Sequence, residues 1–222
     1  LKKFLIIVLI STLKLASQNT EPVFTLKPAL GINGCQIHGD NYSGFNKAGI
    51  FGGAAVNARL GPKSSLEMGF YFSQKGARHN QNPEKGDYSF YFVNLNYIDL
   101  PLSYRRYLNK DYFITVGPSM AYLINYHEET ERGDWTGVYP FEDFEYGINF
   151  GLGKKIKDKF FVEVRTSNSI GTIRPYGSGF TSTVYYSNII AQSFNKGLYN
   201  NILTFFVAYK IDIKKKTSAP TE

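Results

Sequence analysis

The sequence predicts an all-β fold, an eight-stranded antiparallel up-and-down barrel that crosses a membrane. Three observations predict it. Apolar residues alternate with small or polar ones along successive segments, the period of a strand with two unlike faces. The joints between segments are alternately short and long. The composition couples 16% aromatic residues with only 19% charged ones, which suits pleated surfaces facing an apolar medium.

The joints after the second, fourth and sixth segments are tight: Gly61-Pro62-Lys63-Ser64, Leu108-Asn109-Lys110-Asp111 and Lys157-Asp158-Lys159. Those after the first, third, fifth and seventh are long and polar, the last running from about Pro175 to Leu198. In a meander, even-numbered joints gather at one end and odd-numbered joints at the other. Short turns at one end and long loops at the other is the layout of a bacterial outer-membrane barrel, with both termini on the short-turn side.

Residues 1–17 read as a cleavable signal peptide. Lys2 and Lys3 precede the apolar run Phe4 to Ile10, and Ser11, Thr12 and the small pair Ala16-Ser17 follow. Seven unbroken apolar residues fall well short of the roughly 20 that a membrane helix needs. Residues 18–23 make a short N-terminal segment, 24–213 the barrel, and 214–222 a basic, polar tail. No later segment is long enough for a membrane helix, so a crossing must use a closed barrel, which satisfies every backbone group internally.

In the first segment Cys35 reads as a strand residue, and a lone cysteine forms no disulfide framework. The third segment sets Leu66, Met68, Phe70 and Phe72 against Glu67, Gly69, Tyr71, Ser73 and Lys75. In the fourth, Tyr91, Val93, Leu95 and Tyr97 share one parity and Leu100, Leu102 and Tyr104 the other. One extra residue near Ile98-Asp99 would produce that slip, so a β-bulge is expected at Ile98, Asp99 and Pro101. The fifth segment alternates Tyr112, Ile114, Val116, Met120, Tyr122 and Ile124 with Thr115, Gly117, Ser119, Ala121 and Asn125. The sixth alternates Phe144, Tyr146, Ile148, Phe150 and Leu152 with Glu145, Gly147, Asn149, Gly151 and Gly153. The seventh is built on Phe160, Val162 and Val164 against Glu163 and Arg165. The eighth sets Leu203, Phe205, Val207, Tyr209 and Ile211 against Thr204, Ala208 and Lys210.

Alternation alone does not say which face points inward, and a soluble barrel would put the apolar face inside. Here the polar face is mostly Gly, Ala, Ser, Thr and Asn, which suits a cramped interior rather than a water-facing wall. Aromatics at the strand ends suit interfacial girdles: Tyr104, Tyr107, Tyr112, Phe160 and Tyr209 low, Tyr122, Tyr126 and Phe144 high. The charged members of the polar face, Glu67, Lys75, Arg105, Glu145, Glu163 and Arg165, are expected to form an ionic network in the lumen. A buried ion is tolerable only when paired and hydrogen-bonded, and eight strands leave room for side chains rather than an aqueous pore.

The segments YFSQKGAR (Tyr71 to Arg78), LNYIDLPLSYR (Leu95 to Arg105) and FITVGPSMAYLI (Phe113 to Ile124) resemble the PorT-like outer-membrane β-barrel family of Bacteroidetes. The resemblance runs from about Phe24 to Ile213. It implies the barrel fold and no defined activity.

The net charge of +7 invites a nucleic-acid reading, but no single face interleaves aromatic and basic residues and no recognition motif is present. The charge is instead polarised. Thirteen Lys and Arg surround the short turns and the tail against four acids. The fifth-to-sixth loop is acidic, with Glu128, Glu129, Glu131 and Asp134 beside Trp135. Its spacing is not that of a calcium loop, so a solvated extracellular loop is expected. His38, His79 and His127 stand at strand ends on different walls and are not expected to share a metal. His38, Asp40 and Ser43 match no nucleophile elbow. No catalytic residue, metal or cofactor is therefore expected. The expected protein is a monomer in outer-membrane lipid, with no nucleic-acid partner and an envelope or extracellular protein partner of open identity. Its lumen is plugged and its role structural or interactive. A narrow solute channel or transport accessory, and a lipid-acting or proteolytic enzyme, stand as alternatives.

Overall fold

The computed structural model describes residues 24–177 and 196–212. The expected signal peptide, the 18–23 segment and the 214–222 tail lie outside the described residues, as does most of the seventh-to-eighth loop. Eight long strands run antiparallel in chain order: β1 (Phe24–His38), β2 (Lys47–Gly61), β3 (Ser64–His79), β4 (Tyr91–Tyr107), β5 (Tyr112–Thr130), β6 (Phe144–Ile156), β7 (Phe160–Ser169) and β8 (Gly197–Tyr209). Each pairs with its predecessor, and β8 pairs back onto β1 from Ala29↔Ala208 to His38↔Tyr199. The sheet is therefore a closed eight-stranded up-and-down barrel without a free edge. Two-residue strands at Gly133–Asp134, Arg174–Pro175 and Ile211–Asp212 extend it at the rims.

The wall is apolar on the outside. Leu30, Ile32, Ile50, Met68, Phe70, Val116, Ile148, Phe150, Leu203 and Phe205 are all exposed. Above this band the outward positions turn to carboxamides: Gln36, Gln74, Asn96, Asn125, Asn168 and Asn201. Gln74 donates to Asn96 at 3.2 Å and Asn96 to Asn125 at 2.7 Å, binding three strands side by side. Amides that need water or polar partners mark where the apolar medium ends.

Above that ring the pattern inverts. Ile37, Ala77, Tyr91, Val93, Leu95, Tyr97, Leu123 and Leu198 form one buried cluster inside the barrel, joined by Phe141 and Ile173 from the loops. This inversion corrects the expected bulge at Ile98, Asp99 and Pro101. β4 keeps one parity throughout, with Tyr91, Val93, Leu95, Tyr97, Pro101, Ser103 and Arg105 all buried. Its apolar residues change parity because they face inward above the membrane band and outward within it. The register shift lies opposite, where Asn96 pairs with Asn125 but Tyr97 pairs with Leu123, so the extra residue is in β5 at Ile124. Beyond it Tyr126 and Glu128 take over the inward parity. Tyr126 therefore packs on Phe141 at 5.1 Å, and Tyr107 leans on the buried Phe113 at 5.7 Å. Neither belongs to an external girdle.

The interior is also less uniformly small than the sequence suggests. Phe51, Tyr71, Phe113, Phe161 and Phe206 are buried in a lower cluster with Ala29, Ala55 and Ala208. Gly153 makes room for one of them, since a Cβ there would collide with the Phe113 ring. Higher up, Gly76 holds a left-handed φ of 130°, and a Cβ there would collide with the Val93 carbonyl of the neighbouring strand.

Val116→Arg should impair insertion, because a charge on the outer wall at mid-bilayer costs roughly 2–4 kcal/mol. The check is the folded fraction after refolding into lipid vesicles. Normal insertion of this variant would contradict the outward-facing apolar band.

Candidate functional site

The lumen holds two ionic clusters, separated along the barrel axis by small polar side chains. The lower one is centred on Arg105, which β4 directs across the barrel. Its Nη2 donates to Glu67 Oε1 at 3.3 Å and to Glu163 Oε2 at 3.1 Å. Arg165 grips Glu163 Oε1 through Nε at 2.9 Å and Nη2 at 2.7 Å, and the Thr115 hydroxyl donates to the same oxygen at 2.8 Å. Lys27 donates to Glu67 Oε2 at 3.0 Å. Both carboxylates and all three cations are almost completely buried.

Aromatic faces complete the lower cluster. The Nε and Nη1 of Arg105 find no hydrogen-bond acceptor among the described residues. Instead the guanidinium lies 4.2 Å from the Phe113 ring centre, a cation–π contact worth most where water is excluded. Arg165 sits over Phe206 at 4.8 Å and Lys27 over Phe161 at 4.7 Å. Space for Glu163 depends on Gly151, where a Cβ would collide with the Thr115 hydroxyl and crowd the carboxylate.

The upper cluster is centred on Lys75. Its Nζ lies 3.2 Å from both oxygens of Glu145. It is also 2.9 Å from Asp99 Oδ1, an ion pair without hydrogen-bond alignment. Asn200 donates to Glu145 at 2.7 Å. Between the clusters Asn33 donates to the Ser73 hydroxyl and the Gln74 carbonyl, both at 3.0 Å, and accepts from Thr204 at 2.8 Å. The cavity left there measures about 10 Å³, room for about one water.

Loops fold over the top. Arg174 meets Glu128 through both Nη atoms, Nη1 at 2.9 Å, and lies 3.6 Å from the Phe141 ring centre. Glu142 N donates to Ile173 O at 2.8 Å, and Tyr176 Oη to Gly39 O at 2.8 Å. Three long loops are thus pinned together over the apolar upper interior.

All six residues of the expected network face the interior, but they divide between the two clusters, and Lys75 does not reach Glu67 or Glu163. Lys27 and Asp99 join them and were missed. Asp99 was read as a bulge residue, whereas it sits on the unbroken inward parity of β4. The acidic loop is not uniformly solvated. Glu129, Glu131 and Asp134 are exposed or nearly so, whereas Glu128 is buried against Arg174. Trp135 packs against Tyr139 at 5.8 Å.

His79 pairs with Asp87 at 2.7 Å and stacks on Tyr42 at 4.3 Å, while His127 contacts Thr136 at 3.1 Å. Among the described residues no three His, Cys, Asp or Glu converge to hold a metal. Asp40 is buried, accepts the Tyr42 N–H at 3.0 Å through Oδ1, and has no hydrogen-bond partner for Oδ2 among the described residues. Burial pushes its carboxyl up to about 7.

A closed antiparallel barrel with an apolar exterior and an ionic interior is the architecture of an outer-membrane β-barrel protein. The chain belongs to the outer membrane protein beta-barrel domain family, whose model matches residues 17–173, and that places it in the outer membrane of a Gram-negative bacterium. No curated protein matches it in sequence. Among solved structures it is similar to Ail, the attachment invasion locus protein of Yersinia pestis, at 7% identity, covering 86% of this chain and 100% of that one, with a TM-score of 0.47. It is similar to Neisserial surface protein A at 10% identity, 85% and 97% coverage and a TM-score of 0.47. Acinetobacter baumannii CarO gives 12% identity, 85% and 97% coverage and a TM-score of 0.46.

Glu163→Ala should leave Arg105 and Arg165 buried with too little counter-charge, a loss of roughly 3–5 kcal/mol for a fully buried pair. Thermal unfolding in detergent should fall accordingly, and an unchanged midpoint would argue against the pairing.

Asp40 gives a pH prediction. A carboxyl whose pKa is raised on folding favours the neutral form in the fold, so its penalty is absent well below the ordinary carboxylate range and complete above about 7. Hydrogen-exchange protection of residues 39–46 should fall as pH rises through that window, and Asp40→Asn should abolish the fall. Protection in the native chain that stays constant from acid to neutral pH would contradict this.

Proposed function

We propose that the chain is a monomeric, non-enzymatic barrel with a plugged lumen, serving a structural or interaction role at the cell envelope. Its resemblance to the PorT-like branch of outer-membrane barrels belongs to this reading, as do a cleaved leader, periplasmic termini and extracellular long loops. The observation that carries it is the stacking of three closures along one axis: the Arg105 cluster, the Lys75 cluster and the apolar cap beneath Phe141 and Arg174. An ion passing upward would have to break paired charges twice and then cross an apolar layer. The face left for partners is the long-loop end, where Glu131 and Asp134 stand exposed and Glu129 half-exposed near Trp135.

The test is ion conductance across a planar bilayer. The proposal expects no defined conductance step from the native protein, and discrete openings would favour the narrow solute channel instead. Orientation is checked by protease shaving of intact cells, which should cut in the loop around Arg132 and spare the Lys157–Lys159 turn. Cleavage confined to that turn would reverse the assignment of the two ends.

A further inference from the structure

The short-turn mouth carries a charge arrangement that the luminal pairing does not explain. It opens as a basin of about 810 Å³, within the roughly 300–1,000 Å³ typical of small-ligand sites. Six cations line it: Lys27 on β1, Arg59 on β2, Lys63 in the β2–β3 turn, Lys110 in the β4–β5 turn, Lys155 on β6 and Lys210 just past β8. They come from around the mouth and so line one shared space. Among the described residues Asp158 is the one acid in the lining, and its side chain is 99% exposed, 3.7 Å from Lys155.

Internal pairing leaves much of this charge over. Lys27 is held by Glu67 and Lys210 by Asp212 at 2.8 Å. Arg59 donates its Nε to the Gly61 carbonyl at 3.2 Å, which satisfies a donor without cancelling the charge. Lys63 and Lys110 have no ion-pair partner among the described residues. Lysines on a convex surface spread into solvent, whereas a concave wall with a low-dielectric floor, here Phe161, concentrates potential of one sign. Neutral donors are present too. Asn109 spends its Oδ1 on the backbone N–H groups of Asp111 and Tyr112, which leaves its amide N–H₂ for a ligand.

We propose that this basin is an anion-binding site for a ligand carrying phosphate. One phosphate presents several acceptor oxygens and nearly two charges in a compact group, so it can satisfy several of these lysines at once. The phosphate can come from a soluble polyphosphate or from a lipid headgroup at the membrane face beside the mouth. The proposal does not depend on whether the lumen above conducts.

Calorimetric titration of the full chain in zwitterionic detergent tests it, with tripolyphosphate in one arm and dihexanoyl phosphatidic acid in the other. Saturable binding is expected, weakened roughly tenfold by Lys63→Gln and by Lys110→Gln, the scale of one charge-assisted contact. Both positions are exposed turn residues, so the barrel should fold normally. Lys85→Gln, in the short helix Pro83–Lys85 at the opposite end, should change nothing. Binding of tripolyphosphate alone assigns a soluble ligand, binding of the lipid alone a headgroup, and binding of both the shared phosphate chemistry. Absence of saturable binding in both arms would overturn the site. So would affinities untouched by Lys63→Gln and Lys110→Gln, or lowered equally by Lys85→Gln.

Discussion

A charge removed from water must be neutralised where it stands, and the interior of this barrel is arranged around that constraint. Arg105 cannot lose its proton at any ordinary pH, so once β4 carries it inward other strands must supply carboxylates. Glu67 on β3 and Glu163 on β7 do so from opposite directions, and each then needs further donors for its second oxygen. Lys27, Arg165 and Thr115 provide them. Five strands are thereby tied through one cluster, which sets their relative rotation as firmly as the ladders set their register. Such clusters are weak evidence for net stability, since well-packed apolar substitutes often do as well. What this one contributes is specificity, because only one closure of the sheet brings all five charges together.

The second organising fact is the inversion of polarity along the axis. Below the ring of outward carboxamides the barrel wears its apolar side chains outside and its charges inside. Above that ring it resembles a soluble protein, with Val93 and Leu95 inside and Asn94 on the outward parity. One continuous strand such as β4 serves both media, and the change of medium shows in its sequence as a change of apolar parity. The loops follow the same logic. Phe141 and Ile173 have an apolar interior to fold onto, so the acidic loop and the described residues 170–177 fold inward over it, and Glu128 is buried with Arg174 as its counter-ion.

Much of this was legible in the chain. Alternating joint lengths gave strand number and order, and period two gave the faces of β3 and of β5 to β8 in their membrane portions. Glu67 and Glu163 could be assigned to the lumen because each lies between apolar neighbours, and Arg105 and Arg165 because they share the polar parity of their strands. Lys27 was not recognised, because the first segment mixes Pro28, Gly31 and Gly34 into its alternation and declares its faces weakly. The parity change in β4 was misread as an inserted residue because a strand crossing from lipid to water imitates a bulge. The true insertion, at Ile124, is silent in the sequence, since apolar Ile124 continues the outward pattern right up to the slip. The pairing partners of Lys75 depend on cross-barrel distances, which period-two patterning does not encode.

The central claim is that the luminal charges are tolerated only as mutually neutralising sets, and the Lys75 cluster tests it most directly. Stability in detergent should be compared for Lys75→Met alone and for the triple variant Lys75→Met, Asp99→Asn, Glu145→Gln. The single change leaves two carboxylates facing an empty position, whereas the triple change removes the whole set. A large fall in unfolding midpoint is expected for the single variant, with recovery most of the way to the native value for the triple one. A triple variant that is less stable than the single one, each substitution adding its own loss, would contradict it.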